Sequence, residues 1–337
     1  MTASARTRRA RTALAAAVVV LAVAVVLSLA VGARAVPPSV VLDAFLRFDP
    51  ASTDHVVVLT QRLPRTVIGV VAGAALALAG TLMQGLTRNP LADPGLLGIN
   101  AGASVAVLAA ITFLGVTSPG GFVWFAFAGA AFAAVLVAVV GSRGPDGANP
   151  AKLALTGAAV TAGLTAVATL VLTTDIQTFD VFRYWQVGGL TARGLDAVAV
   201  VAVPILAGAV IAFLSARGLD LLALGDETAT ALGHHVGRTR VLGIVATVLL
   251  CGGATSIAGP VVFVGLVVPH LLRGVVGGDH RSLMAVGMPV GAALLVFADV
   301  VGRVIAPPGE VQAGLVVAFV GAPMLIWLVS RRGRVVL

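Results

Sequence analysis

Arg217-Gly218-Leu219-Asp220-Leu221-Leu222-Ala223-Leu224-Gly225-Asp226-Glu227-Thr228-Ala229-Thr230-Ala231-Leu232-Gly233-His234-His235, closing at Arg238 and Arg240, is the chain's one long excursion out of apolar sequence. One apolar run ends where it begins and another begins where it ends, so the stretch reads as a polar connection between two membrane spans. Leu219, Leu221, Leu222 and Leu224 predict an apolar turn or two, Gly225 a break, and Asp226 the N-cap of a second short helix. Asp226 and Glu227 then sit at the positive end of that helix's dipole, and Gly233 is its C-terminal stop. A short helix that is half apolar and half charged gives another protein something to push. Taken alone, the segment also fits an ordinary solvated loop.

The composition places the whole chain in a bilayer. Of 337 residues, 59% are hydrophobic and 11% charged, with a mean hydropathy of +1.06; soluble domains carry roughly a quarter charged residues. The apolar runs do not alternate as barrel strands do, so the fold class is an all-α polytopic membrane protein. The net charge of +8 is no sign of nucleic acid, because the basic residues stand singly at the ends of apolar runs, where lipid headgroups and topology place them. Cys251 is the only cysteine, which excludes an intrachain disulfide and a cysteine metal site. The N-terminal arginines and apolar core resemble a signal peptide, but the core runs from about Ala13 to Val31, too long for one, and reads as an uncleaved first span.

About ten spans are expected, at 12–33, 64–86, 92–114, 121–141, 152–173, 197–216, 238–258, 260–276, 282–305 and 311–330. With the N-terminus inside, fifteen basic residues, from Arg6 to Arg334, fall on the cytoplasmic side. Seven, including Arg34, Arg62, Arg65, Arg193 and Arg303, fall outside. That bias predicts both termini and the 217–240 segment inside, on a multi-pass protein of the cytoplasmic membrane forming a single domain over 1–337. Arg65-Thr66-Val67-Ile68-Gly69-Val70-Val71-Ala72 echoes Arg240-Val241-Leu242-Gly243-Ile244-Val245-Ala246 with one gap. An offset of five crossings makes spans 2–5 and 7–10 an inverted repeat.

Several shorter stretches carry expectations of their own. Residues 36–61 read as a short external helix in which His55 is solvated. Pro64 suits the first turn of span two, so Arg62 and Arg65 share a face at the external mouth, where they also fit simple snorkelling to headgroups. Gly and Ala recur through 69–85, the pattern of closely packed membrane helices. Asn89, Pro90, Asp93 and Pro94 force a rigid cytoplasmic turn, with Asp93 capping span three. Tyr184 and Trp185 read as an interfacial belt. Pro269, beside His270, is expected to interrupt span eight; His270 has no second ligand at metal spacing and reads as a packing residue. Asp299 and Arg303, four apart in span nine, can pair along one helix. Gly321-Ala322-Pro323 marks a close-packing site in the last span, and Glu310 precedes that span.

The chain has no engine of its own. A phosphate-binding loop needs a lysine, and the only one, Lys152, lacks that context. Ion-coupled carriers bury acids at mid-membrane, and Asp299, the one carboxylate within a span, lies near an edge. An intramembrane enzyme would need a third group to orient Ser256 and His270, and none is at hand. Energy therefore enters through a partner acting on the polar cytoplasmic segment.

Arg62-Leu63-Pro64-Arg65, Gly80-Thr81-Leu82-Met83-Gln84, Asn89 to Gly98, Leu221 to Gly233, Phe263 to His270, Ala298 to Arg303 and Val320 to Pro323, in order across roughly 40–332, resemble the iron-siderophore and cobalamin uptake permeases of ABC importers. The resemblance implies ten helices and a second permease copy, identical or paralogous. It also implies two cytoplasmic ATPase subunits, which bind ATP and Mg, and an extracytoplasmic binding protein. No cofactor, metal or catalytic residue is implied on this chain. The family's coupling helices correspond to Leu219, Leu222, Leu224, Gly225, Asp226, Glu227, Ala231, Leu232 and Gly233. Its docking arginines, which meet acids on the binding protein, correspond to Arg62, Arg65 and Arg303. The implied cargo is a metal chelate, foremost a ferric siderophore, with haem or cobalamin as alternatives.

Overall fold

Each apolar run expected to span becomes a helix in the computed structural model, which describes residues 3–32, 34–143, 150–191, 194–307 and 309–332; Arg193 and Arg334 lie outside these residues. The helices are α1 (Ala3–Ala30), α2 (Pro38–Leu46), α3 (Thr53–Val56), α4 (Leu63–Thr87), α5 (Ile99–Leu114), α6 (Pro119–Ser142) and α7 (Pro150–Thr174). They continue with α8 (Ile176–Gln186), α9 (Leu195–Leu222), α10 (Asp226–Ala231), α11 (Val236–Ala258), α12 (Val264–Val276), α13 (His280–Ile305) and α14 (Ala313–Arg332). A π-helical turn, Val57–Arg62, joins α3 to α4, and a 3-10 turn, Pro94–Leu97, precedes α5. Among the described residues seven helical runs are long and apolar enough to cross a membrane, and α5, α12 and α14 are shorter apolar helices. Together these ten are the expected spans.

α4 is the hub, packing on α13, α11, α12 and α9. Its small residues are the reason: a Cβ placed on Gly73 would lie 2.3 Å from the Gly291 carbonyl oxygen, and one on Gly80 only 1.9 Å from that of Gly265. Backbones this close gain dispersion contacts that lipid cannot supply. α11, the counterpart of α4, packs on α9, α6 and α5, as α4 packs on α13 and α12. That exchange of partners is what an inverted repeat of spans 2–5 and 7–10 would give.

Four local expectations need correction. Span eight is not interrupted at Pro269, which lies buried inside continuous α12. A proline there leaves the carbonyl four residues back, that of Gly265, without its helical donor; the Gln84 side-chain amide from α4 donates to it at 3.3 Å. The break falls earlier, at residues 259–263, and ends at Phe263, whose φ of 70° is left-handed. Its ring packs on Gly321 of α14. Span three starts at Ile99 rather than 92, because Asp93 caps the 3-10 turn instead, its Oδ1 accepting from the Gly95 amide at 2.8 Å. His55 is buried, its Nδ1 accepting from the Asp49 amide, since the 36–61 segment folds as two helices around Val36, Ala44 and Val58. Trp185 is core, packed on Phe182, whereas Tyr184 stays exposed under the Arg183 guanidinium.

Candidate functional sites at the two ends of the bundle

At the end assigned to the cytoplasm, the coupling segment divides by burial. Leu219 and Leu222 are 0% and 1% exposed and anchor α9 in the core, whereas Leu224 and Leu232 are 60% and 62% exposed. Glu227, Ala231 and Gly233 are exposed beside them. Gly225, with φ 102°, makes the turn into α10 and is itself the N-cap. Asp226 therefore does not cap the helix as expected. An N-cap side chain folds back on the amides of the next turn, and Asp226, one position further on, points its carboxylate away from them. It meets Arg240 Nη2 at 2.7 Å and Arg88 Nη2 at 3.5 Å.

These two arginines give the pairing its meaning. Arg88 ends α4 in a left-handed conformation, φ 51°, a geometry costing on the order of 1–2 kcal/mol without glycine. Arg240 lies in the first turns of α11. One carboxylate on the exposed helix thus holds the tips of both central helices. Nearby, Asp220 at the end of α9 accepts from the His280 backbone amide at 3.1 Å and meets its ring Nδ1 at 2.6 Å, fastening α9 to α13. Arg88, Arg240, Asp220 and His280 escaped the sequence reading. Arg88 registers there only as a topology charge and Arg240 as the end of the polar segment and the start of the internal echo, neither as a partner of Asp226, and His280 and Asp220 stand 60 positions apart.

The adjoining turn is rigid for the expected reason. Asn89 Oδ1 accepts from the Leu91 amide at 2.9 Å, and Asp93 and Pro94 set the 3-10 turn. Burial holds the Asp93 carboxyl above its ordinary value, against the opposing effect of the Gly95 amide. His270 is partly exposed in α12, and among the described residues no group of three or more His, Cys, Asp or Glu is placed to hold a metal.

At the opposite end Arg62, Arg65 and Arg303 come together, but not as an exposed patch. They are 6%, 8% and 3% exposed, and Asp299 is 1% exposed. Arg65 Nε donates to Asp299 at 2.7 Å and its Nη1 to Glu310 at 2.7 Å. Arg303 Nη2 meets Asp299 Oδ2 at 3.0 Å, the i to i+4 pair expected, and its Nη1 donates to the carbonyls of Ser28 and Val31. Arg62 donates to the carbonyls of Leu29 and Arg34. The cause is the low-dielectric surroundings: a guanidinium drawn among helices persists only when carboxylates or carbonyls take its donors. The network ties α1, α4, α13 and the segment before α14 together. It keeps one open side, a cavity of about 590 Å³ lined by Gln61, Arg62, Arg65, Arg303 and Glu310. The buried Arg65 Nη2 has no hydrogen-bond partner among the described residues. Three arginines against two carboxylates leave this rim cationic.

Comparison with known proteins agrees with this architecture. The chain is 47% identical over 308 residues to the ferric enterobactin transport system permease protein FepD of Escherichia coli (strain K12), covering 91% of this chain and 92% of that one. It is 43% identical over 285 residues to the Fe(3+) dicitrate transport system permease protein FecC of the same organism, covering 81% and 82%. A solved metal-chelate type ABC transporter in an inward-facing conformation superposes with a TM-score of 0.82 at 28% identity, over 94% of this chain and 98% of that one. The molecule is a multi-pass transport permease of the cytoplasmic membrane. The profile of the FecCD transport family matches residues 20–331, and the chain belongs to that family.

Proposed function

We propose that this permease is the membrane subunit of a binding-protein-dependent ABC importer, that its cargo is a ferric siderophore, and that ATP is hydrolysed on separate subunits docked at α10. The observation that carries the proposal is the α10 lever: an exposed helix flanked by Leu224 and Leu232, whose Asp226 holds Arg88 of α4 and Arg240 of α11. Closure of the ATPase pair displaces α10, Asp226 draws on both central helices together, and the closely packed spans pass the motion to a path shared with a second permease copy. At the other end the cationic rim receives an acidic side chain of the binding protein. The likeness to ferric-chelate permeases supports the cargo. Pairing of Asp299 with two arginines argues against a proton- or sodium-coupled carrier, which needs a carboxylate free to bind its ion.

The test is reconstitution with the ATPase and binding protein, followed by uptake of radio-iron chelates, haem and cobalamin. ATP-dependent uptake of a ferric siderophore is expected. Uptake of haem or cobalamin alone would overturn the cargo, and uphill transport by the permease alone under an ion gradient would overturn the mechanism.

A further inference from the structure

Two features between α1, α12 and α13 play no part in the mechanism above. At the cytoplasmic end a cavity of about 650 Å³ is lined by Thr7, Arg11, Asp279, Arg281 and Ser282 together with Leu14, Val276 and Val286. An almost wholly apolar crevice of about 400 Å³, lined by Ala16, Val20, Leu272, Val290 and Phe297 among others, follows along the same helices. Val286 lines both, so the polar mouth and the apolar crevice adjoin.

The charges in the mouth do not cancel. Arg11 and Arg281 are exposed and have no ion-pair or hydrogen-bond partner among the described residues. The one acid, Asp279, is engaged in capping α13, its Oδ2 accepting from the Ser282 amide at 2.8 Å. The site therefore offers two guanidinium groups to an anion, with the apolar crevice directly behind them. The alanines of α1 make that crevice: Ala13, Ala16 and Ala17 face Val290 and Leu294 of α13 across space that larger side chains would fill. From Arg281 to Phe297 the two cavities follow α13 over sixteen residue steps, about 24 Å at the helical rise. One leaflet with its headgroups is roughly 20–22 Å. The groove thus has the polarity and length of a single lipid lying beside the protein. Basic pockets between helices on the cytoplasmic side are where anionic headgroups bind.

We propose that this groove binds one anionic phospholipid of the cytoplasmic leaflet, its phosphate between Arg11 and Arg281 and an acyl chain along the α1–α13 crevice. Bound there, the lipid bridges the first span to the α12–α13 hairpin, on both helices of which α1 packs.

The experiment uses the full-length permease purified in mild detergent, with native mass spectrometry and thermal melts as readouts. The probes are phosphatidylglycerol, phosphatidylcholine of the same chains, and inorganic phosphate. Retention of one phosphatidylglycerol in preference to phosphatidylcholine is expected, with a raised melting temperature that inorganic phosphate does not reproduce. The double variant Arg11→Gln/Arg281→Gln should weaken retention by about 25-fold, from roughly fivefold for each basic residue at a membrane surface. Ala16→Phe, at an exposed position in the crevice wall, should displace the chain with both arginines intact. Equal retention of the two lipids, or unchanged retention in both variants, would overturn the proposal. Stabilisation by inorganic phosphate alone would make the mouth a simple anion site and overturn it too. Exclusion of lipid by a second permease copy seated on this face would do the same.

Discussion

Two carboxylates, Asp226 and Asp299, each hold two arginines, and burial gives them opposite jobs. Asp299, Arg303 and Arg65 have side-chain exposures of 1%, 3% and 10%. Removing one partner of such a pair strands the others in low dielectric and costs about 3–5 kcal/mol. Asp226, Arg88 and Arg240 are 38%, 39% and 19% exposed, where solvent screening leaves at most about 1 kcal/mol per pair. Asp299→Asn should therefore lower the melting temperature by roughly 6–10 °C, and Asp226→Asn by no more than about 2–4 °C. Transport reverses the order of consequence per degree lost. A link biases a conformational equilibrium by no more than its own differential free energy. One or two screened pairs, about 1–2 kcal/mol, therefore cap the coupling that Asp226 transmits. Asp226→Asn should reduce ATP-driven uptake by about 5- to 25-fold while ATP hydrolysis by the docked partner continues. The measurement is uptake per ATP hydrolysed in proteoliposomes, beside melts of the same preparations. If Asp226→Asn kept the wild-type ratio, or destabilised the protein as much as Asp299→Asn, the division between lever and structural clamp would be wrong.

Other outcomes follow from single contacts. Leu224→Ser with Leu232→Ser should weaken ATPase association in a pull-down while the melting temperature stays within about 1–2 °C, because both side chains are already in solvent. Gly80→Ala drives a methyl into the Gly265 backbone and should cost at least about 1–3 kcal/mol, read as lost folded yield in size-exclusion profiles. Gly274→Ala, where nothing lies within 4 Å, should be neutral or stabilising by up to about 1 kcal/mol. Gln84→Leu leaves the Gly265 carbonyl without its donor and should lower stability by roughly 1–3 kcal/mol in the same melts. Asp93→Asn keeps the cap oxygen and removes a charge that burial disfavours. Since the folded carboxyl titrates above its ordinary 3.8, ionisation destabilises the native state as pH rises. The variant's advantage in melting temperature should be present at neutral pH and vanish as pH falls toward that value.

The sequence showed the spans clearly because a bilayer demands about twenty apolar residues for each long helix and leaves few alternatives. It was silent about what lies between them. Proline at 269 reads as a breaker in any single chain. Only the neighbouring helix reveals that Gln84 supplies the missing donor, and that contact spans 181 positions. The arginines at 62, 65 and 303 were found through their motif, but their burial was not legible there. A guanidinium at a span's end is written the same way whether it faces water or another helix. His55 and Trp185 failed for a related cause: each is covered by a local cluster whose members look like surface residues when read singly.

The internal echo carries further than the sequence alone could take it. Its aligned arginines, Arg65 and Arg240, start the two central helices at opposite ends of the bundle. Each is held by an acid from a different element, Asp299 in one case and Asp226 in the other. An inverted repeat places equivalent positions on opposite membrane faces, and these two arginines occupy opposite ends. What differs is the carrier of the acid. Asp299 is buried near the outer end of a packed helix and cannot move without the core, so its pair fixes the outer rim as a rigid seat for a docking partner. Asp226 rides on a six-residue helix behind a glycine of left-handed φ, with apolar side chains turned outward, so its pair moves when that helix is pushed. The same ion pair becomes a fixed seat or a lever according to how firmly its acid is built into the fold.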